Sequence, residues 1–317
     1  MKAIQITEYG GPEVLRYVDL PEPEPRPGRT RIRVTRAGIN YADTHQTENT
    51  YLTPTELPVV PGGEVTGTTD DGRRVVALVP NGGYAQVALA PDPLVFDIPD
   101  ELSDGQALAL VLQGVTAWHL LHLSTHLAKG ESVVVHAAAG GVGSVAVQLA
   151  KHLGAGRVIA TASSESKRSL ALELGADIAI APDADGLKDR LVEANGGRPV
   201  DVVLEMVGGR VFDESLRALA PFGRLATFGQ ASRQPSKPVD AARLMAASRT
   251  VAGFWLGHCF RRPEMIAEPL RELFRLSVDG VLTPVVGAEF PMSEAPRAHE
   301  AILGRGTVGK LVLDPAS

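Results

Sequence analysis

The stretch that decides the fold is Ser132-Val133-Val134-Val135-His136-Ala137-Ala138-Ala139-Gly140-Gly141-Val142-Gly143. An apolar, strand-like run, Ser132–His136, leads into a glycine-rich turn, and a helical pattern over Gly141–Leu153 follows. Strand, glycine turn and helix in that order are the setting of the dinucleotide fingerprint G-x-G-x-x-G, with Ala138 where its first glycine would stand. Gly140 and Gly141 let the backbone approach a pyrophosphate with no Cβ in the way. The helix that begins there aims its N–H groups and positive dipole end at the phosphates. Gly143 allows helix and strand to pack closely. Alone, the same pattern also fits an ordinary strand-to-helix turn.

Working outward, apolar strands and helical patterns alternate from about 131 to 255. Arg157–Thr161, Asp201–Val207, Gly223–Phe228 and Thr250–Trp255 read as strands, and Glu165–Leu174 and Arg210–Leu219 as helices. Such alternation predicts a doubly wound parallel α/β sheet. Residues 1–112 read as mostly β, with strand-like runs at Arg31–Val34, Val75–Val79 and Tyr84–Leu89. The run PEPEPRPG at 21–28 reads as a stiff surface connection. A helix at Met265–Val278 and a strand at Gly309–Leu313 fill the tail.

The second strand of the alternating region points to the dinucleotide. A site that prefers NAD places Asp or Glu at the end of that strand to hold the ribose hydroxyls. Here it ends Thr161-Ala162-Ser163-Ser164, and Lys167 and Arg168 follow within a helical turn. Hydroxyls plus a cation suit the 2′-phosphate of NADPH. A serine acting only as helix N-cap is the plainer reading, and it is compatible with the first.

Composition sets outer limits. The chain has 317 residues, 44% hydrophobic and 21% charged, with a net charge of −6. A mildly acidic chain does not suggest nucleic-acid binding through a broad basic face. No run of about 20 apolar residues predicts a membrane span. The start, MKAIQITEYGG, reads as a strand rather than a secretory signal, so the cytoplasm is the default expectation. The single cysteine, Cys259, excludes an internal disulfide and a zinc site built from several thiolates.

The runs AGINYAD (37–43), LPVVPGGE (57–64), LQGVTAW (112–118), AAAGGVG (137–143), LELGAD (172–177) and TVGKLVL (307–313) together resemble the quinone oxidoreductase, zeta-crystallin-like branch of the medium-chain dehydrogenase/reductase superfamily. The resemblance implies a GroES-like β-rich catalytic domain formed by 1–115 and 261–317. It implies an inserted Rossmann domain at 116–260 with a cleft between the two, and a homodimer. It places Asn40 and Thr116 near the nicotinamide end of NADPH, and Gly140, Gly141 and Val142 on the pyrophosphate. Ser163 and Lys167 face the 2′-phosphate. Val207, Phe228, Gly229, Phe254 and Leu256 line the cofactor groove, and Lys310 in the closing GKLVL run joins the cofactor set. Plain core packing is an equal reading of Phe254 and Leu256.

Zinc-dependent relatives carry Cys where this chain has Asn40 and His where it has Gly63, which leaves Glu64 unable to hold zinc alone. No metal is therefore expected. His119, His122 and His126 read as ordinary helix residues. Two tyrosines of the family are replaced, at His45 and near Pro182. The second replacement puts one 2′-phosphate contact in doubt.

The implied reaction is hydride transfer to a small electrophile, a quinone or activated enone, with Asn40, His45 and Tyr51 as candidates for binding the oxyanion or donating the proton. An enoyl reductase acting on α,β-unsaturated thioesters and a non-catalytic NADPH-binding sensor are the alternatives.

Overall fold

The computed structural model describes residues 1–317. The chain divides into two compact units. One comprises Met1–Val115, Cys259–Gly280 and Pro284–Ser317, the other Thr116–His258 and Val281–Thr283.

The second unit holds a six-stranded parallel sheet. In spatial order its strands are Ile178–Ile180, Arg157–Thr161, Ser132–Val135, Val200–Glu205, Leu219–Thr227 and Thr250–Gly253. The chain winds outward one way from Ser132–Val135 and then resumes on its other side at Val200–Glu205. That reversal is the topological switch point at which open α/β sheets bind ligands, beyond the carboxyl ends of the strands. Ser132–Val135 is buried along its whole length, as expected of a strand with both faces covered. The helix Gly141–His152 packs seven residues of its sequence into the interior.

The first unit holds a seven-stranded, mostly antiparallel sheet. Its central strand, Arg29–Ile39, lies between Glu64–Thr69 and Lys310–Asp314. Leu311 pairs with Ile39 and Val65 with Ala37, so Glu64, Ile39 and Lys310 meet at one end of three adjacent strands. The helix Tyr41–Thr47 begins there, with Asn40 as its N-cap.

Several elements differ from the sequence reading. The strand Ile178–Ile180 and the helices Leu187–Ala194, Ala241–Ala247 and Ala295–Leu303 are elements that the sequence reading does not include. Asp104–Ser124 forms one continuous helical segment, long and apolar enough by composition to cross a membrane. Buried residues make up 72% of its apolar window, as in the core helix of a soluble fold. Its turns widen to π-helix at Ala109–Gly114 and Leu120–Ser124. His126 falls beyond this helix at φ 45°, so it shares no helical face with His119 and His122.

Candidate functional site

In the second unit the candidate residues follow the carboxyl ends of the parallel strands, except Thr116, which lies in the helix Val115–His119. The glycine turn leaves Ser132–Val135 through Ala137 at φ 50° and enters the helix at Gly140. No side chain caps this helix, so its first-turn N–H groups are left for an anion. Gly143 is obligatory: a Cβ there would lie 2.7 Å from the Ala138 Cα, in backbone that cannot move aside. The residues therefore fit a pyrophosphate cradled by Gly140, Gly141 and Val142.

The next strand end carries Ser163, which is exposed, and Ser164, which caps the helix Glu165–Glu173 by accepting from the Lys167 N–H at 3.3 Å. The capping role thus belongs to Ser164 and leaves Ser163 for another partner. The Lys167 side chain is half-buried, and burial lowers its pKa. Arg168 donates from Nη1 to the Ala162 carbonyl at 3.1 Å, which ties the helix to the strand end.

Val207, Phe228 and Gly229 follow two paired strands, since Glu205 is in register with Thr227. Phe254 follows the neighbouring strand, its N–H bonded to the Thr227 carbonyl, and its ring lies 5.5 Å from that of His119. Phe254 is half-buried, whereas Leu256 and Thr116 each keep only 7% exposure.

Glu205 escaped the sequence reading. It is fully buried, and its Oε1 accepts from the Val207 and Gly208 N–H groups at 2.7 and 2.9 Å. Its Oε2 has no partner, and burial raises its pKa to about 7. The signal was an acid ending the apolar run Val202–Leu204. His136 is also buried, between Thr161 Oγ1 at 2.9 Å and Ser215 Oγ at 2.8 Å. Burial lowers its pKa to about 4, so it is a neutral strut at neutral pH.

In the first unit Asn40 is 5% exposed and is held on both sides of its amide. Oδ1 accepts from Lys310 Nζ at 3.0 Å and from Gln113 Nε2 at 3.2 Å, while Nδ2 donates to Glu64 Oε1 at 2.9 Å. Lys310 and Glu64 form an ion pair with no exposure on either side chain. Lys310 also donates to the Ile39 carbonyl at 3.1 Å. The sequence places Lys310 among the expected cofactor contacts, and in the structure its donors face inward. Its three donors go to Glu64, Asn40 and Ile39, and none remains for a cofactor. Gly38 makes the pair possible, because a Cβ there would sit 2.7 Å from Lys310 Cε.

The Asn40 N–H donates to Asp43 Oδ2 at 2.8 Å, and Tyr84 Oη donates to the same oxygen at 2.7 Å. Burial raises the Asp43 pKa to about 6. Tyr84 Oη lies 3.2 Å from His299 Nε2, so that nitrogen donates to it and Nδ1 is the bare acceptor. His45 is half-buried, with Nδ1 2.9 Å from Thr50 Oγ1 and its ring edge-on to Tyr41. Tyr51 is half-buried in the loop that follows.

The donor set at Asn40 does not suit zinc. It offers two amides, one carboxylate already paired with an ammonium, and no thiolate or imidazole. Gly63 adds nothing, and a Cβ there would meet no atom nearer than 3.9 Å.

A doubly wound sheet with a fingerprint turn at its switch point defines a dinucleotide-binding class of protein. Residues 141–275 match the family model described as zinc-binding dehydrogenase. A quinone oxidoreductase of Pseudomonas aeruginosa is 35% identical, over 99% of both chains. A 2-haloacrylate reductase of a Burkholderia species is 33% identical, over 99% of this chain and 98% of its own. A mycobacterial protein solved as a complex with NADPH is 40% identical and superposes with a TM-score of 0.93, over 99% of this chain and all of its own. The chain belongs to the zeta-crystallin-like quinone oxidoreductase branch of the medium-chain dehydrogenase/reductase superfamily.

Proposed function

We propose that the protein is an NADPH-dependent reductase that delivers hydride to a quinone or activated enone without zinc. The observation that carries this reading is the uncapped helix at Gly140 beside a strand end that has no carboxylate and is followed by half-buried Lys167. The NADPH complex of the mycobacterial relative and the activity named for the Pseudomonas one support it.

Gly140, Gly141 and Val142 would hold the pyrophosphate, and Ser163 and Lys167 the 2′-phosphate. Thr116, Val207, Phe228, Gly229, Phe254 and Leu256 would line the nicotinamide groove. NADPH, when bound, supplies the hydride. An acceptor that gains hydride also gains negative charge on its oxygen, and the Asn40 amide would donate an N–H there. Preorganised donors of this kind stabilise a developing oxyanion. His45, bonded through Nδ1 to Thr50, would supply the proton from its other nitrogen, with Tyr51 beside it in sequence as the second candidate. Zinc-independence rests on the donor chemistry at Asn40, whose cation is an ammonium.

The 2-haloacrylate reductase among the relatives favours a second reading, reduction of an activated carbon–carbon double bond in an unsaturated acid or thioester. One assay covers both: NADPH absorbance followed across quinones, enones, haloacrylates and enoyl thioesters. Turnover with a quinone or enone is expected, slowed in His45→Phe with little change in NADPH affinity. If no acceptor consumes NADPH while NADPH still binds, the protein is a sensor and the proposal falls. If His45→Phe keeps full activity across the pH range, His45 is not the donor.

A further inference from the structure

We infer that Lys310 is a positioning residue for the reaction. It sets the polarity of the Asn40 amide, so that one Nδ2 proton is the single polar valence of that side chain left for the acceptor's oxygen. The inference rests on the proposed role of Asn40 as the oxyanion donor.

The geometry fixes the amide in one sense only. Oδ1 faces an ammonium at 3.0 Å and an amide nitrogen at 3.2 Å, both of which can only donate. Nδ2 faces a carboxylate oxygen at 2.9 Å, which only accepts. A flipped amide would set its NH2 against the ammonium and the Gln113 Nε2 and its carbonyl against Glu64, losing three hydrogen bonds and adding three repulsions. With both Oδ1 lone pairs and one Nδ2 proton engaged, one N–H of the amide remains.

Lys310 is matched to this task. An ammonium has three protons, and the structure offers three acceptors: Glu64, Asn40 and the Ile39 carbonyl. The last of these belongs to the residue just before Asn40, so one cation grips both the backbone and the side chain of the site. The wide π-turn at Ala109–Gly114 carries the second Oδ1 donor, Gln113. Glu64, 246 residues from Lys310 in sequence, neutralises the cation and receives the Asn40 N–H with the same Oε1 oxygen. Without the ammonium no charge holds Oδ1 in place, and an amide that turns or shifts presents a carbonyl oxygen or a misplaced N–H to the oxyanion.

The test is a pair of double-mutant comparisons on the full-length protein. Lys310→Met with Glu64→Gln removes both charges at similar volume and keeps an acceptor for Asn40 Nδ2. NADPH affinity, read by fluorescence titration, should stay within about twofold, because neither side chain reaches the surface. Turnover with the best quinone or enone should fall about tenfold to a hundredfold at unchanged KM, the scale of loss from a misoriented catalytic group. In an Asn40→Ala background the same two changes should cost less than about twofold, because residues that act as one unit are not additive. Gln113→Leu, which leaves the ion pair intact and guards against a double variant that fails to fold, should show a smaller loss that also vanishes in Asn40→Ala. Equal losses in both backgrounds would overturn the inference. Full activity of Asn40→Ala would overturn the role of Asn40 itself, and the inference with it.

Discussion

At the scale of single residues, the proposed function makes cofactor choice turn on Lys167. Burial already disfavours its charged form, so an anion beside it restores what desolvation removes. One charge-assisted hydrogen bond is worth roughly 1.5–3 kcal/mol, and about 1.4 kcal/mol is a factor of ten in affinity. Lys167→Ala should therefore weaken NADPH binding roughly tenfold to a hundredfold and leave NADH binding almost unchanged, by calorimetric titration of both. A variant that loses affinity for both cofactors equally would remove Lys167 from the 2′-phosphate site. The residue types here were readable because each bears on local chemistry: a missing carboxylate, a glycine turn, an Asn in place of a Cys. The partners of Lys310 were not legible because they are not local. Only the register of three strands shows that it ends against Glu64 and Asn40.

At the scale of elements, the loop after Val200–Glu205 depends on a buried acid. The folded protein holds the Glu205 proton up to about pH 7, whereas the unfolded chain releases it near the ordinary 4.5. The native state thus binds more protons through that window, and wild-type stability falls as pH rises from about 4.5 to 7. Glu205→Gln cannot ionise and keeps an oxygen for the Val207 and Gly208 N–H groups. Its stability relative to wild type should climb through the same window and level off above it. The gap between about 7 and 4.5, at about 1.36 kcal/mol per pH unit, puts the gain at roughly 3 kcal/mol. Urea titrations at pH 5 and pH 8 measure it, and a variant no more stable than wild type at pH 8 would show that the carboxylate itself holds the loop. Elements with strong periodicity, such as Arg157–Thr161 and Glu264–Val278, were clear from sequence to within a residue. Ile178–Ile180 was hidden because three half-buried residues give no period to detect. Of the Asp104–Ser124 segment only the stretch around His119 and His122 reads as helix, because two π-turns break the 3.6-residue rhythm.

At the scale of the whole molecule, two units contribute different chemistry. The parallel sheet brings loops that suit a dinucleotide to one edge, and the antiparallel sheet builds an amide donor on a buried ion pair. The most direct measurement is the steady-state rate of quinone reduction by protein exhaustively treated with chelator, with NADPH and NADH compared in parallel. Sustained turnover is expected at far less than one zinc per chain, with kcat/KM for NADPH at least about tenfold above that for NADH. Loss of activity on chelation with recovery on adding zinc, or equal efficiency with the two cofactors, would contradict it.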